Sequence, residues 1–364
     1  MEEKTLKIEN LGYCEFFEAE WVKLGLAVFE VARVTCELRG AYKVRNAHGE
    51  FLAKVSGKDI FKNSAREDFP AVGDWVAISE LNEKQAMIQA ILPRRTVLKR
   101  KYGDRNEAQM IATNVDVAFV IESVDRDFNL NRIERYSAIA SDGGIRTTVI
   151  LNKTDLISEE ELGFKLQQIK ERFKDIDVIP TNTLKEEGLV KLKTYFERGK
   201  TYCFLGSSGV GKSSLINKLL DERKIKTNQI GERSGRGKHT TTAREMYFLE
   251  NGSIVIDNPG VREIGMTDAS LGVENIFNEI TALAEKCKFI DCTHVHEPDC
   301  AVLSALQAGK LDQAKYSNFI NLKKETQHFK LNALEKKQKD RQFGKFLKEA
   351  KADLKKYKHK DYSE

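Results

Sequence analysis

The chain has 364 residues, enough for two or three domains with cores of their own. Hydrophobic residues make up 41% and charged residues 32%, which suits a globular protein with a polar surface, and no apolar run approaches the ~20 residues of a membrane span. Net charge is +5, yet residues 321–360 alone hold 14 Lys/Arg against 5 Asp/Glu. The basic tail points either to a polyanionic partner, most simply nucleic acid, or to a solvated lysine-rich helix.

The N-terminal run "MEEKTLKIEN" is charged and carries no signal-peptide core. Six cysteines are present, three scattered (Cys14, Cys36, Cys203) and three clustered (Cys287, Cys292, Cys300). The charged N-terminus and the lack of a membrane-span run make a cytoplasmic location the expectation, and in such a reducing compartment a cysteine cluster suggests metal more than disulfide.

Residues 1–24 read as an N-terminal extension. Between 25 and 105, "LAVFEVARVTCEL", "AYKVRNA", "EFLAKVSG", "DWVAISEL" and "AMIQAILP" are β-rich segments separated by turns such as "AHGE" and "AVGD". Five short strands in this length predict a small β-barrel of the OB-fold type. From about 112 the pattern becomes alternating strand and helix. "VDVAFVIES", "RTTVILNK", "DIDVIPTN" and "TYCFLG" are buried-strand runs. "SEEELGFKLQQIKERF" opens with a capping box, Ser158 and Glu161. "EMYFLE" and "SIVIDNPG" are two further strands, expected to be antiparallel across Asn251–Gly252. Six strands with crossover helices define a three-layer α/β domain at 106–272. The remainder reads as helical, divided into a cysteine-bearing domain at 273–320 and a basic helical tail at 321–364.

"GSSGVGKS" fits the phosphate-loop pattern in full, with a strand before it and a helix after it. The candidate phosphate site is Gly206, Ser207, Ser208, Gly209, Val210, Gly211, Lys212, Ser213 and Ser214. Glycines let backbone N–H groups converge on phosphate oxygens, and the helix directs its positive end at the same anion. Lys212 is placed to reach the β- and γ-phosphates, and Ser213 to ligate Mg²⁺.

Asp257 ends a strand and begins D-x-x-G with Gly260. In GTPases the aspartate holds Mg²⁺ through water and the glycine amide senses the γ-phosphate. The intervening "GRGKHTTT" (235–242) suits a switch loop, with Thr241 or a neighbouring threonine as magnesium ligand. Val261 stands where Ras-like enzymes place a water-orienting glutamine. Intrinsic hydrolysis is therefore expected to be slow, with His239 as the candidate group that orients or deprotonates water.

"NKTD" follows an apolar strand. Asp155 is suited to accept from guanine N1–H and the 2-amino group. Asn152 can contact the other base edge and tie loops together, and Lys153 can pack its stem along the base. Thr154 completes the loop, and Thr181–Asn182 is the candidate for a second base-side loop. An ordinary GTPase presents the phosphate loop first. Here the strands run in the order 4-5-6-1-2-3, a cyclic shift that marks a circular permutation.

"CKFIDCTHVHEPDC" supplies Cys287, Cys292, His294 and Cys300, with His296 as the alternative nitrogen. Three thiolates and an imidazole suit a closed, structural zinc site.

Together these motifs and the preceding barrel resemble the ribosome small-subunit-dependent GTPases, the bacterial circularly permuted family, over about residues 25–305. The resemblance implies an OB-fold barrel, a circularly permuted P-loop GTPase domain and a C-terminal zinc-binding domain. It implies binding of GTP and GDP, and hydrolysis stimulated by the 30S subunit and its 16S rRNA late in subunit maturation. It also selects His294 with the three cysteines as the zinc ligands and supports His239 as catalytic candidate. The protein is expected to act as a monomer, away from membranes. Two rival readings remain. One is a nucleotide-dependent RNA-binding assembly chaperone with little turnover, and the other a GTPase of large-subunit assembly.

Overall fold

The computed structural model of the protein describes residues 7–56, 66–102, 107–125, 128–183, 187–220, 244–258 and 265–331, with residues 335, 338 and 341. Outside these described residues lie the 235–242 loop with His239 and Thr241, positions 259–264 with Gly260 and Val261, and residues 342–364 of the tail.

Five strands form the barrel: β1 (Glu30–Leu38), β2 (Ala41–Arg45), β3 (Glu50–Val55), β4 (Trp75–Asn82) and β5 (Gln85–Ile91). β1 pairs antiparallel with both β2 and β4, β3 runs parallel to β5, and β4 closes on β5. The circuit 1-2-3-5-4-1 leaves no free edge in the round and matches the OB-type expectation. Val34, Val44, Phe51, Val76, Ile78 and Ile88 fill its interior. A helix α1 (Glu15–Lys23), for which the sequence offered no clear periodicity, packs Phe17 against Leu11 and Trp75 at the barrel's base.

β8 (Val117–Ser123) begins the second domain, after a separate antiparallel hairpin of β6 (Val97–Lys101) and β7 (Ala108–Thr113). There follow α2 (Leu130–Asp142), β9 (Arg146–Asn152), α3 (Glu159–Arg172), β10 (Val178–Pro180), α4 (Glu187–Lys193), β11 (Thr201–Leu205), α5 (Lys212–Leu219), β12 (Glu245–Phe248) and β13 (Ile254–Asp257). The sheet order is β10-β9-β8-β11-β13-β12, with only β12 antiparallel to its neighbour β13. Renumbered from the strand that leads into the phosphate loop, this order is 6-5-4-1-3-2. The spatial arrangement is thus continuous although the chain order is shifted.

β8 is buried along its whole length, as a central parallel strand must be. Its residues alternate between faces. Val117, Phe119 and Ile121 join the core under α4 and α5, while Ala118 and Val120 join the core on the α2 side. α3 opens with the expected capping box: Ser158 Oγ accepts from Glu161 N at 3.2 Å, and Glu161 Oε2 accepts from Ser158 N at 2.9 Å.

The C-terminal part comprises α6 (Ser270–Ile276), α7 (Asn278–Ala284), the cysteine-bearing loop, α8 (Ala301–Gln307) and α9 (313–331). It shares one apolar core with the α2 face of the sheet, through Val273, Phe277, Val302, Phe319 and Leu322. A Cβ on Gly272 would stand 1.9 Å from the carbonyl oxygen of Ala138, so α6 reaches α2 at a distance that only glycine permits.

Barrel and sheet are also joined. β1 bridges to β12 through Cys36 and Glu245. Arg33 of β1 is fully buried. It donates to Gly73 O at 3.3 Å, Asn114 O at 3.3 Å and Thr201 Oγ1 at 2.9 Å, and also to Leu11 O. One guanidinium therefore holds the N-terminal turn, the barrel, the linker and the first residue of β11. Burial lowers its pKa to about 10, with Asp116 opposing the shift.

Candidate functional site

All five parallel strands of the second domain point their C-terminal ends toward the same edge of the sheet, where open α/β sheets bind ligands. At that edge lie Pro180, Asn152, Ser123, Leu205 and Asp257. The guanine-loop and phosphate-loop candidates come from β9 and β11, separated in the sheet by β8 alone.

Asn152 is fully buried and links three loops. Its Nδ2 donates to Val210 O at 2.8 Å, and its Oδ1 accepts from Thr181 Oγ1 at 3.0 Å. Both polar ends of the amide are thereby engaged in tying the loops, the second of the two roles expected for this residue. Thr154 donates from N and Oγ1 to Thr181 O, each at 3.2 Å. Asp155, on a single 3-10 turn, is exposed at the mouth. Lys153 adopts φ 63°, and its Nζ lies 2.8 Å from Asp125 Oδ2. Thr181 faces Asn152 and the Thr154 backbone, while Asn182 is buried behind it.

Gly211 has φ +99°, and a Cβ there would come 2.3 Å from Asn152 Nδ2. The motif glycine is therefore required by the guanine loop as well as by its own turn. α5 begins directly after it. Lys212 Nζ donates to Gly206 O at 2.7 Å and Ser207 O at 2.5 Å. Burial lowers its pKa to about 8, while Asp257 and Glu122 oppose the loss of its charge. Asp257 is itself buried, which raises its carboxyl to about 6 against the pull of Lys212. Ser208 and Gly209 are exposed, Val210 is buried in the α5 core, and Ser213 and Ser214 are half-buried on the first turn of α5. Among the described residues, the buried Ser207 Oγ and both amide atoms of Asn258 have no hydrogen-bond partner. Oxygen atoms of a ligand would satisfy the Ser207 hydroxyl and Asn258 Nδ2, and a hydrogen-bond donor or a cation would satisfy Asn258 Oδ1.

Two acidic residues escaped the sequence reading. Glu122, fully buried at the end of β8, lies 3.1 Å from Arg132 Nε and acts electrostatically on Lys212. Asp125 holds Lys153. Glu122 lies within, and Asp125 just after, the one strand to which no motif had been assigned, and asking which side chains flank the two loops in the sheet would have exposed them.

In the C-terminal part, Cys287, Cys292, His294 and Cys300 bring their ligand atoms within 4.8 Å of one another. The Sγ atoms of Cys287 and Cys300 are 3.8 Å apart, and His294 Nδ1 lies 3.6 Å from each. Ideal tetrahedral zinc bonds imply edges of about 3.8 Å for S–S and about 3.6 Å for S–N. The residues therefore fit a tetrahedral metal. His296 is exposed and outside the cluster, which resolves the choice of histidine. Burial works against the Cys287 thiolate, but hydrogen bonds from the backbone N–H groups of Ala301 and Val302 together with those from the Cys300 and Cys292 side chains lower its pKa. Glu297, unnoticed in the sequence, organises the loop. Its carboxylate accepts from the backbone of Thr293, Val295 and His296, and from the Thr293 hydroxyl.

The fold and crevice define a circularly permuted P-loop GTPase. Residues 91–267 match the family model described as RsgA GTPase, and residues 201–342 that described as 50S ribosome-binding GTPase. The small ribosomal subunit biogenesis GTPase RsgA 2 of Lactiplantibacillus plantarum is 38% identical over 342 residues, covering 93% of this chain and 96% of that one. The protein of the same name from Vibrio vulnificus is 34% identical over 352 residues, covering 96% and 97%. In structure, YjeQ from Thermotoga maritima superposes with a TM-score of 0.61 at 24% identity, covering 82% of this chain and 98% of that one. The chain belongs to the RsgA GTPase family and is a GTP-hydrolysing enzyme.

Asn152→Ala leaves Val210 O and the Thr181 hydroxyl without their partner. It is expected to weaken GDP binding about tenfold, in line with the ~1–3 kcal/mol of orphaned buried polar groups. Titration with a fluorescent guanine nucleotide measures this, and unchanged affinity would remove Asn152 from the architecture of the site.

Proposed function

We propose that this GTPase couples GTP hydrolysis to binding of the small ribosomal subunit and its rRNA, in the cytoplasm, late in that subunit's maturation. The observation that carries the reading is the joining of guanine and phosphate loops through Asn152. The support for the partner is that relatives named for small-subunit biogenesis match over more than nine-tenths of the chain.

In this reading Asp155 accepts from guanine N1–H and the 2-amino group, and Lys153 supports the base with its stem. The phosphate loop, Gly206 to Ser214, cradles the phosphates, with Lys212 moving its ammonium from the loop carbonyls to the β- and γ-oxygens. Ser213 and Asp257, the latter through water, would hold Mg²⁺, which neutralises charge on the phosphates; Thr241 is the further candidate ligand. The Gly260 amide senses the γ-phosphate, and His239 orients the attacking water in place of the side chain that Val261 lacks. Cys287, Cys292, His294 and Cys300 hold one structural zinc, with no open position for chemistry.

The nucleotide state reaches the C-terminal part through a short connection. Met266 N donates to Glu325 Oε1 of α9 at 2.9 Å, and Arg135 of α2 pairs with the same carboxylate at 2.8 Å. The segment after D-x-x-G is thus bonded to α9 eight residues beyond Asn258, the last described residue before it. γ-Phosphate contacts then set how the barrel and zinc domain jointly grip rRNA.

Turnover measured with purified subunits tests the reading. Slow intrinsic hydrolysis is expected to rise at least tenfold with 30S, and 30S affinity is expected to be higher with a non-hydrolysable GTP analogue than with GDP. Stimulation by 50S in place of 30S would transfer the protein to large-subunit assembly, and equal affinity in both nucleotide states would end the coupling.

Asp155→Asn is expected to shift preference from guanine toward xanthine nucleotides by about 100-fold or more, because the altered side chain no longer accepts both donors. Competition binding reads this directly, and retained GTP preference would dissociate Asp155 from base recognition.

Elemental analysis is expected to find one zinc per chain, with Cys300→Ser lowering that content. A chain that carries no zinc when purified without chelator would refute the metal assignment.

A further inference from the structure

The guanine-loop pattern specifies an asparagine, a lysine and an aspartate, and is silent on what holds the lysine. In this chain Asp125 holds it. Asp125 stands two residues beyond the end of β8, the strand between the guanine-loop strand and the phosphate-loop strand. The backbone on either side sets its place. Val124 N donates to Asn152 O at 3.1 Å, and Phe128 N donates to Asp125 O at 3.1 Å. From there Asp125 Oδ2 accepts from Lys153 Nζ at 2.8 Å.

Lys153 is fixed at its other end as well. It adopts φ 63° directly before the 3-10 turn that carries Asp155. Asn152 ties the same loop to Val210, and Thr154 ties it to Thr181. The four-carbon stem is thus held between the guanine loop at its Cα and the segment after β8 at its ammonium. The two side chains are 20% and 32% exposed, so the pair keeps surface that a ligand can meet.

A lysine with a free head samples many rotamers and loses them when a base settles on its stem. With the head already bound by a carboxylate, that ordering is complete before the nucleotide arrives, and binding is tighter by the cost avoided. An alkyl stem meets the flat face of a base and not its edge. Its contribution is therefore blind to the 2-amino group that Asp155 is suited to read.

We propose that Asp125 is a positioning residue for guanine-nucleotide binding, acting through Lys153 by holding the lysine stem ready against the face of the base. The proposal rests on the reading of Lys153 as the support of the base and deepens it. The motif residues bind the nucleotide, and an acid from the neighbouring strand pre-organises one of them.

The test is titration of the full chain with fluorescent GDP, in competition with GDP, with IDP, which lacks the 2-amino group, and with inorganic pyrophosphate, which has no base. Asp125→Asn is expected to weaken GDP and IDP by the same factor, about fivefold, and to leave pyrophosphate competition as in the wild type. Asp125→Glu is expected to restore most of the loss. In a Lys153→Met background Asp125→Asn is expected to cost nothing further, because the interaction it removes is already gone. In turnover assays the loss is expected in KM for GTP and not in kcat. The pair is partly exposed, so the melting temperature of Asp125→Asn is expected to stay near that of the wild type. Wild-type GDP affinity in Asp125→Asn, an equal loss for pyrophosphate, or additive losses in the double variant overturns the proposal. If Lys153→Met weakens GDP while Asp125→Asn does not, this inference fails and Lys153 remains the support of the base. Wild-type affinity in both single variants removes that reading as well.

Discussion

The whole nucleotide crevice depends on one carboxamide. Asn152 directs its donor to Val210 of the phosphate loop and its acceptor to the hydroxyl of Thr181, in a position with no access to water. Unmade, those bonds would each leave a buried polar group without compensation, so the three loops are constrained to one relative arrangement. That constraint is indifferent to chain order. It requires β9, β8 and β11 to be neighbours with parallel direction, which the sheet provides. A permuted chain therefore retains the crevice of an unpermuted one: the loops are defined by which strands are adjacent, and the connections lie on the periphery.

What permutation alters is the identity of the neighbours. The strand that follows the 235–242 loop is β12, and it lies against the barrel. Arg244, immediately before it, donates to Glu37 Oε2 of β1 at 2.9 Å and to Met110 O of the hairpin at 3.0 Å. The segment after 264 is bonded to Glu325 of α9 at one side and, through Gly265 O, to Lys101 N at the other. Both segments flanking the γ-phosphate candidates thus lead at once into an accessory domain. Those domains are also fixed to the sheet at a distance from the crevice, the barrel by Arg33 and the C-terminal part by Asn318 of α9, which donates to Glu134 Oε2 of α2 at 2.6 Å, and by Asp312, 2.6 Å from Arg172 of α3. Fixed anchors with local attachments near the switches would let small displacements act on the outer domains as leverage.

Local chemistry was legible in the sequence and tertiary closure was not. "GSSGVGKS", "NKTD" and the five barrel strands declare themselves by spacing and alternation, because those patterns are imposed by a turn, an anion or a pleat within a few residues. The antiparallel β12–β13 pair followed from a single Asn-Gly turn. By contrast, Arg33 is an arginine in a strand with no local mark. Its role is set by Leu11, Gly73, Asn114 and Thr201, as many as 168 residues away. The β6–β7 hairpin was lost between two stronger patterns, and α1 buries few of its residues, so neither had a periodic stripe to report it. At the site, Glu122 and Asp125 were missed for the same reason: their significance comes from β8 lying between the two motif strands.

The cysteine-bearing loop shows where a metal would contribute what packing cannot. Between α7 and α8 the chain makes no regular element, and Phe289, Ile290 and Val295 face solvent in place of filling a core. His294 and Asp299 also adopt positive φ, 63° and 57°, a region that costs a non-glycine residue free energy. Hydrogen bonds to Glu297 and from Tyr316 OH to His294 O, at 2.7 Å, offset part of that cost. They do not cross-link the two ends of the loop. The exposed ion pair of Lys288 and Asp299, at 2.8 Å, and the convergence of Cys287 and Cys300 on one centre do so, and a metal held there would turn an irregular loop into a rigid support for α8 and α9. Because the Phe319 ring on α9 lies 6.4 Å from the His294 ring, a metal held by the cluster would also bear on the position of α9.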